Sequence, residues 1–245
     1  MLSKTQNKYI RSLTQQKFRE EHNVFVAEGD KIAKEWLLSA ASIQIIVAEE
    51  VWLQQNAYLV QKHPEAAVHT VSENELQALS SLQTPNQVLL VVAVPVKEVT
   101  LPVNGWCIAL DNIQDPGNMG TIIRIADWFG VKHIICSPDC VDIYNPKVIQ
   151  AGMGSHIRVN IHTAGFDDFI LHTKMPLLAA ALEGENVYKF PKISSGILLI
   201  GNESKGISPN LLQAATHKIT IPRRGGAESL NAAVSTGILC ALLIS

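Results

Sequence analysis

The chain has 245 residues, 47% of them hydrophobic, and a formal charge of −2 at pH 7. That length exceeds the roughly 100–200 residues of a single domain, so two domains, or one with an appendage, are expected. The near-neutral balance excludes a global field that would draw in nucleic acid, and any basic surface has to be local. Four cysteines, Cys107, Cys136, Cys140 and Cys240, are too few and too unevenly spaced for a disulfide framework or a paired zinc motif. Cys136 and Cys140 flank a short "SPD" stretch, but nothing singles out two further ligands, so no metal is expected. The start is polar, and no run approaches the about 18 apolar residues that span a bilayer, so a soluble, cytoplasmic protein without a membrane partner is expected.

In chain order, helical periodicity covers the first 22 residues, followed by strand "NVFVAEG", a helix from Asp30 to Ala40 and strand "IQIIVAE". A helix near residue 51, strand "AAVHTV", helix "SENELQALS" and strand "QVLLVVAVPV" complete a small α/β unit. Ser72 followed by Glu75 has capping-box spacing, which marks a helix start. "KEVTLPVNG", residues 97–105, interrupts the apolar pattern with charge, Pro and Gly. It separates an N-terminal domain, 1–97, from a second domain, 106–245, through a linker at 98–105. Beyond it come strands "CIALDNI", "HIICSP", "HIRVNI", "PLLAAAL", "GILLIG" and "KITIP", with helical patterns between most of them and a last helix from Ser229 onward. Apolar strands alternating with helices predict a parallel sheet covered on both faces.

Three stretches of the second domain set turn residues and polar side chains at strand ends, where open α/β sheets place ligands. They are "DPGNMGTIIRIADWFG" (115–130), "GNESKGIS" (201–208) and "IPRRGGAESLN" (221–231). None fits a familiar nucleotide signature: "GNMG" lacks the spacing of a dinucleotide fingerprint, and "GNESKGIS" places its lysine before the second glycine, unlike a phosphate loop. Each alone reads as a tight turn. The first carries one arginine, Arg124, set between isoleucines, in a helix where a partly dry pocket would suit its fork of donors. Residues 1–19 hold Lys4, Lys8, Arg11, Lys17 and Arg19 and no acid, a local basic face fitted to phosphate contacts as well as to solvent.

Taken together the three stretches resemble the SpoU (TrmH-like) family of the SPOUT class, the S-adenosylmethionine-dependent RNA ribose 2'-O-methyltransferases. The first family motif is similar to Asp115, Pro116, Asn118, Gly120, Arg124, Phe129 and Gly130; the second to Gly201, Glu203 and Gly206; the third to Ile221, Pro222, Ser229, Leu230 and Asn231. "NPKVIQAGMGSHIRV" resembles the segment between the first two motifs, and "QQKFREEHNVFVAEGDKIAKEWL" the N-terminal RNA-binding domain. Arg223 and Arg224 depart from the commoner residues after the Ile-Pro pair.

The resemblance implies a parallel-sheet domain with a deep trefoil knot, a small N-terminal α/β RNA-binding domain, and a homodimer formed through the C-terminal domain. It implies S-adenosylmethionine bound by Gly201, Ile221, Leu230 and the turn near Ala180, and rRNA or tRNA as substrate. Arg124 then activates the ribose hydroxyl, with Asn118, Glu203, Ser229 and Asn231 shaping the site. Ser229 is also a candidate cap for the last helix. Arg223 and Arg224 are expected on RNA phosphate, because the cofactor's sulfonium repels a guanidinium. A non-catalytic RNA-binding protein with the same fold is the alternative.

Overall fold

Contacts divide the chain into two units, residues 1–97 with 144–157, and residues 98–143 with 158–245. The computed structural model describes residues 2–82, 87–95, 104–163 and 165–244. The expected linker, apart from Asn104 and Gly105, lies outside the described residues.

In the first unit Ser3 opens α1 (Lys4–Ser12) with a capping box: its hydroxyl accepts from the Gln6 amide, and the Gln6 side chain accepts from the Ser3 amide. The helical pattern expected through residue 22 breaks at a turn before α2 (Gln16–His22). Arg19 holds that turn, donating from Nη1 to the carbonyls of Leu13 at 2.8 Å and Thr14 at 2.9 Å. Then follow β1 (Val24–Glu28), α3 (Asp30–Leu38), β2 (Ile43–Ala48), α4 (Glu50–Gln55), α5 (Ala57–Val60), β3 (Ala67–Thr70), α6 (Glu73–Leu79) and β4 (Val88–Ala93). Ser72 and Glu75 form the expected capping box at α6. The sheet runs β1-β4-β2-β3, antiparallel except for the parallel β2–β3 pair.

Both faces of that sheet are covered, and the period of two along each strand sorts its residues. Phe25 and Ala27 of β1 join Val88, Leu90 and Val92 of β4 in a cluster around Trp36 and Trp52. Val24, Val26, Leu89 and Val91 point the other way, into a cluster with Ile10, Leu13 and Leu76.

The second unit contributes β5 (Trp106–Leu110), α7 (Pro116–Trp128) and β6 (His133–Cys136). The chain next returns to the first unit, where α8 (Pro146–Gly152) packs on β1, Tyr144 stacks on Phe25 with ring centroids 4.8 Å apart, and Ile149 enters the Trp36 cluster. Back in the second unit come β7 (Asn160–His162), α9 (Phe166–His172), β8 (Leu177–Asn186), β9 (Gly196–Ile200), α10 (Pro209–Ala214), β10 (His217–Thr220) and α11 (Ala232–Leu243). The expected strand "HIRVNI" shrinks to β7, because the left-handed Met153 at φ 48° ends α8 and leads into a 3-10 turn at Ser155–Ile157.

The six strands run β10-β8-β9-β5-β6-β7, every neighbouring pair parallel, as the apolar strand pattern predicts. Cys107 and Ala109 of β5 and Ile197 and Leu199 of β9 meet α9 and α10 through Phe166, Ile170 and Leu211. α7 buries Met119, Ile122, Ile123 and Ala126, and α11 packs against it. From β5 the chain winds outward through β6 to β7, whereas from β9 it winds the other way to β10, so the order reverses between β5 and β9. Loops leaving the carboxyl ends of such a strand pair diverge and open a crevice. Among the described residues no helix is long and apolar enough to cross a membrane.

Arg19 is 3% exposed, so truncating it leaves two carbonyls of the α1–α2 turn without their donor. Arg19→Ala is expected to lower unfolding free energy by about 2 kcal/mol, read from the midpoint of chemical denaturation, whereas Lys8→Ala on the exposed face of α1 changes it by less than about 0.5 kcal/mol.

Candidate active site at the strand ends

Because β5, β9 and β10 run parallel, the loops at 111–115, 201–208 and 221–231 leave the sheet on the same side. The last two border a cavity of about 630 Å³, lined also by residues 180–182 of β8, the ends of β9 and β10, and one side of α11. Its size lies within the usual range for small-molecule sites. β8 shapes one wall: its pairing with β10 jumps from Ala179–Lys218 to Glu185–Ile219, so residues 180–184 leave the ladder. A side chain at Gly184 would put a Cβ 2.4 Å from the Lys218 carbonyl oxygen, which makes this departure possible only for glycine.

Gly201 shows the same constraint, since a Cβ there would lie 2.4 Å from the Gly206 carbonyl carbon. The loop closes tightly at that point: the Asn202 amide donates to the Gly206 carbonyl at 3.1 Å, and the Gly206 amide returns a bond to the Asn202 carbonyl at 2.9 Å. The wall of the cavity is therefore backbone together with Ala180, Ile200, Ile219 and Ile221, and its rim carries Glu203, Lys205, Arg223, Arg224 and Glu228.

A chain of side-chain hydrogen bonds links all three motif stretches. Asn231 Nδ2 donates to Asn118 Oδ1 at 2.8 Å, and Asn118 Nδ2 donates to Glu203 Oε1. Two of the three nodes, Asn118 and Asn231, are also tied to a helix. Asp115 caps α7 by accepting from the Asn118 amide at 2.7 Å, with Pro116 preset at the first helical position. Asn231, not Ser229, caps α11: its Oδ1 accepts from the amides of Ala233 at 3.0 Å and Val234 at 3.2 Å. Ser229 stays exposed at the cavity rim.

Beneath this chain lies a second set of polar contacts, made by residues that sequence reasoning placed inside strands or passed over. The buried Asp111 carboxylate accepts from the amide of Ser208 at 2.7 Å and its hydroxyl at 2.6 Å. Asn112, left-handed at φ 57°, offers its carbonyl to Asn202 Nδ2 at 2.8 Å and donates its amide to Ser137 Oγ at 2.9 Å. Their signal in the sequence was an Asp-Asn pair ending a fully apolar strand, where a polar side chain needs a reason to be.

Of the candidate cofactor residues, Gly201, Ile221, Leu230 and Ala180 all line the cavity, as do Glu203, Ser229, Arg223 and Arg224. Arg223 Nη1 donates to the Ala227 carbonyl at 3.2 Å, and Arg224 is exposed. Arg124 does not line the cavity and makes no hydrogen bond among the described residues; it lies exposed on α7 in a stripe with Thr121 and Trp128. Among the described residues no dry pocket surrounds it, because residues adjacent in a helix point about 100° apart and flanking isoleucines say little about their neighbour.

In the first unit Lys4, Lys8 and Arg11 fall on one exposed stripe of α1, and Lys17 is exposed on α2. Arg19 is corrected: its guanidinium is buried in the α1–α2 turn and is not part of that basic face. Cys140 accepts a hydrogen bond from Cys136, which holds its thiol below the usual range and pushes Cys136 up. The described residues contain no group of three or more His, Cys, Asp or Glu placed to hold a metal ion.

The fold and the site define an α/β protein whose second unit is an open parallel sheet with a cavity outside the carboxyl ends of its strands, at the point where strand order reverses. The sequence matches the SpoU rRNA Methylase family over residues 105–241, and an MRM3-like substrate binding domain over residues 4–90. The chain belongs to the SpoU rRNA methylase family. It is 28% identical over 234 residues to the Bacillus subtilis 23S rRNA (guanosine(2553)-2'-O)-methyltransferase RlmP, covering 94% of this chain and 92% of that one. Among solved structures, a protein from Porphyromonas gingivalis described as an RNA methyltransferase of the TrmH family is 34% identical with a TM-score of 0.88, covering 99% of this chain and 98% of its own. An AdoMet-bound rRNA methyltransferase from Sinorhizobium meliloti is 30% identical with a TM-score of 0.87, over 99% and 95% of the two chains.

The two roles of Asn231 separate experimentally. Asn231→Asp keeps the acceptor that caps α11 and loses the donor to Asn118, so its melting temperature is expected to stay within about 2 °C of the parent. Asn231→Ala loses both and is expected to cost about 1 kcal/mol, measured by thermal denaturation.

Proposed function

We propose that this protein is an S-adenosylmethionine-dependent methyltransferase acting on a ribose 2'-hydroxyl of structured RNA, rRNA or tRNA. The observation that carries the reading is the Asn231–Asn118–Glu203 chain, which joins the three motif stretches at the edge of a cavity walled by backbone and apolar side chains. The names of the Bacillus subtilis and Sinorhizobium meliloti relatives support both the reaction and the cofactor.

The residues present fit that cofactor. Gly201 removes the side chain that would block close approach to the loop backbone, and Ala180, Ile221 and Leu230 offer apolar contact on the same wall. When bound, S-adenosylmethionine supplies an electrophilic methyl group; the protein's share is to position the acceptor hydroxyl in line with it. Glu203 and Asn118 fix the edge at which that hydroxyl arrives. The rim cations Lys205, Arg223 and Arg224 suit RNA phosphate. The stripe Lys4, Lys8 and Arg11 gives the first unit a matching surface, in keeping with its likeness to a substrate binding domain.

We assign Arg124 to orienting the hydroxyl, through its planar fork of donors, against a phosphate that takes the proton. It stands outside its own chain's cavity, on a stripe of α7 that also exposes Trp128 at 84%. An aromatic side chain this open beside an apolar helix favours burial against a second copy of the chain, and a homodimer completes the reading. The trefoil knot belongs to the same reading, supported by family membership.

Incubation with labelled S-adenosylmethionine and rRNA or tRNA is expected to transfer label to a single ribose 2'-oxygen, located by mapping the modified nucleotide. Arg124→Ala is expected to lose at least about a hundredfold in turnover with cofactor affinity unchanged, and Arg124→Lys to fail nearly as badly because it lacks the planar fork. Near-normal turnover in the Lys variant means that charge alone suffices. Trp128→Asp is expected to shift the protein from dimer to monomer in light scattering, and a monomeric parent protein sinks the dimer.

A further inference from the structure

Asn202 lies between two clamps that join the first and second motif loops. On one side Asp111 holds Ser208 through its amide and hydroxyl; on the other the Asn112 carbonyl receives Asn202 Nδ2 at 2.8 Å. Next in the same loop Glu203 meets Asn118. Every polar atom of the Asn202 side chain is used, since Oδ1 also accepts from the amides of Ser204 at 2.9 Å and Lys205 at 3.0 Å. Its backbone is fixed as well, by the two-way bridge to Gly206. The neighbouring residue, Glu203, is exposed and takes its position from where this turn is placed.

An asparagine is the side chain this position needs. One end must accept from two backbone amides within its own loop, and the other must donate to a carbonyl of a loop 90 residues away in sequence. Aspartate satisfies the first requirement and sets a negative oxygen against the Asn112 carbonyl in place of the second. Glutamine, longer by one methylene, cannot make the same short turn.

We infer that Asn202 is a positioning residue for the methyl-transfer site, setting the register of the Gly201–Gly206 loop against the Asp111–Asn118 loop so that Glu203 meets Asn118. The inference rests on the methyl-transfer reading above. It assigns to Asn202 no contact with RNA or reacting atoms, and its effect on turnover passes through Glu203.

The test compares wild type, Asn202→Ala, Asn202→Asp, Glu203→Ala and the Asn202→Ala/Glu203→Ala pair. Turnover is measured with labelled S-adenosylmethionine and total RNA, cofactor affinity by calorimetry. Both Asn202 variants are expected to lose about tenfold in turnover, the scale of one well-placed hydrogen bond, with cofactor affinity changed less than about threefold. In the Glu203→Ala background, Asn202→Ala is expected to cause no further loss, whereas a purely structural role gives the same loss in both backgrounds. Asn202→Asp retains the turn inside the loop and carries the test if the Ala variant fails to fold. Wild-type turnover in Asn202→Asp, additive losses in the pair, or an inert Glu203→Ala each overturns the inference. The side-chain amide resonances of Asn118 supply a readout free of activity, and they are expected to shift in Asn202→Asp as Glu203 leaves. If wild type transfers no methyl group but those resonances shift, the methyl-transfer reading falls and the positioning role stands; if they do not move, the positioning role falls.

Discussion

The polarity of one hydrogen-bond chain organises the second unit's loops. Asn231 must present Oδ1 to α11, because that is where two unpaired amides of the helix end point. This leaves only Nδ2 for Asn118, which must therefore answer with its own Oδ1 and can offer only Nδ2 onward. Glu203 receives that donor as an acceptor, the role an ionised carboxylate fills without rearrangement. A backbone requirement at the start of the last helix thus fixes the orientation of an amide 113 residues earlier and of a carboxylate 85 residues after that. Primary amides suit these nodes because each donates and accepts at once and adds no charge to a crowded place.

Sheet topology explains why such a chain is needed. Inside the parallel ladder the backbone satisfies itself, but past the strand ends the loops have no ladder partner, and their polar groups turn to side chains. The reversal of strand order between β5 and β9 pulls the following connections apart, α7 toward β6 and α10 toward β10. Asp111, Asn112, Asn202 and Ser208 bridge that divergence at its root, and Asn118 with Glu203 bridges it further out. The crevice stays open enough for a ligand while its lips are held in register. The lip formed by residues 223–231 differs: it is exposed throughout and lacks regular structure, so its arginines sit on the side of the cavity that faces solvent.

Much of this was legible in the sequence because strand and loop signals are local. The apolar strands, the Ser72–Glu75 box and the three polar stretches at strand ends all depend on nearest neighbours in the chain. The four cofactor candidates gather at one cavity because Gly201, Ile221 and Leu230 follow strands that run the same way and Ala180 lies on the stretch of β8 that leaves the ladder beside them. What was hidden required knowledge of partners far away. The segment around Tyr144 and Ile149 follows the second unit's β6, yet its apolar residues complete the first unit's Trp36 cluster, which no linear boundary reveals. Arg19 reads as one more cation in a basic run, and only the break in the helix at residues 13–15 supplies the carbonyls that take it inward. Ser229 and Asn231 are both good caps, and the choice between them is made by where the chain straightens into α11.

Arg124 marks where a single chain's geometry stops short of the chemistry. Along α7, Met119, Ile122, Ile123 and Ala126 fill the buried side, so the sheet determines that side completely. Asn118 and Arg124 are six residues apart, about 600° around the helix, which sets them roughly 120° from each other. Asn118 is thereby committed to Glu203 and Asn231, and Arg124 to the open stripe with Thr121 and Trp128. No rotation of α7 about its axis brings both to one point without lifting the isoleucines from the core, a displacement that costs several kcal/mol. In the proposed reading the guanidinium acts on whatever covers that stripe, and its task is then defined by the surface that meets the exposed Trp128 as much as by the loops of its own chain.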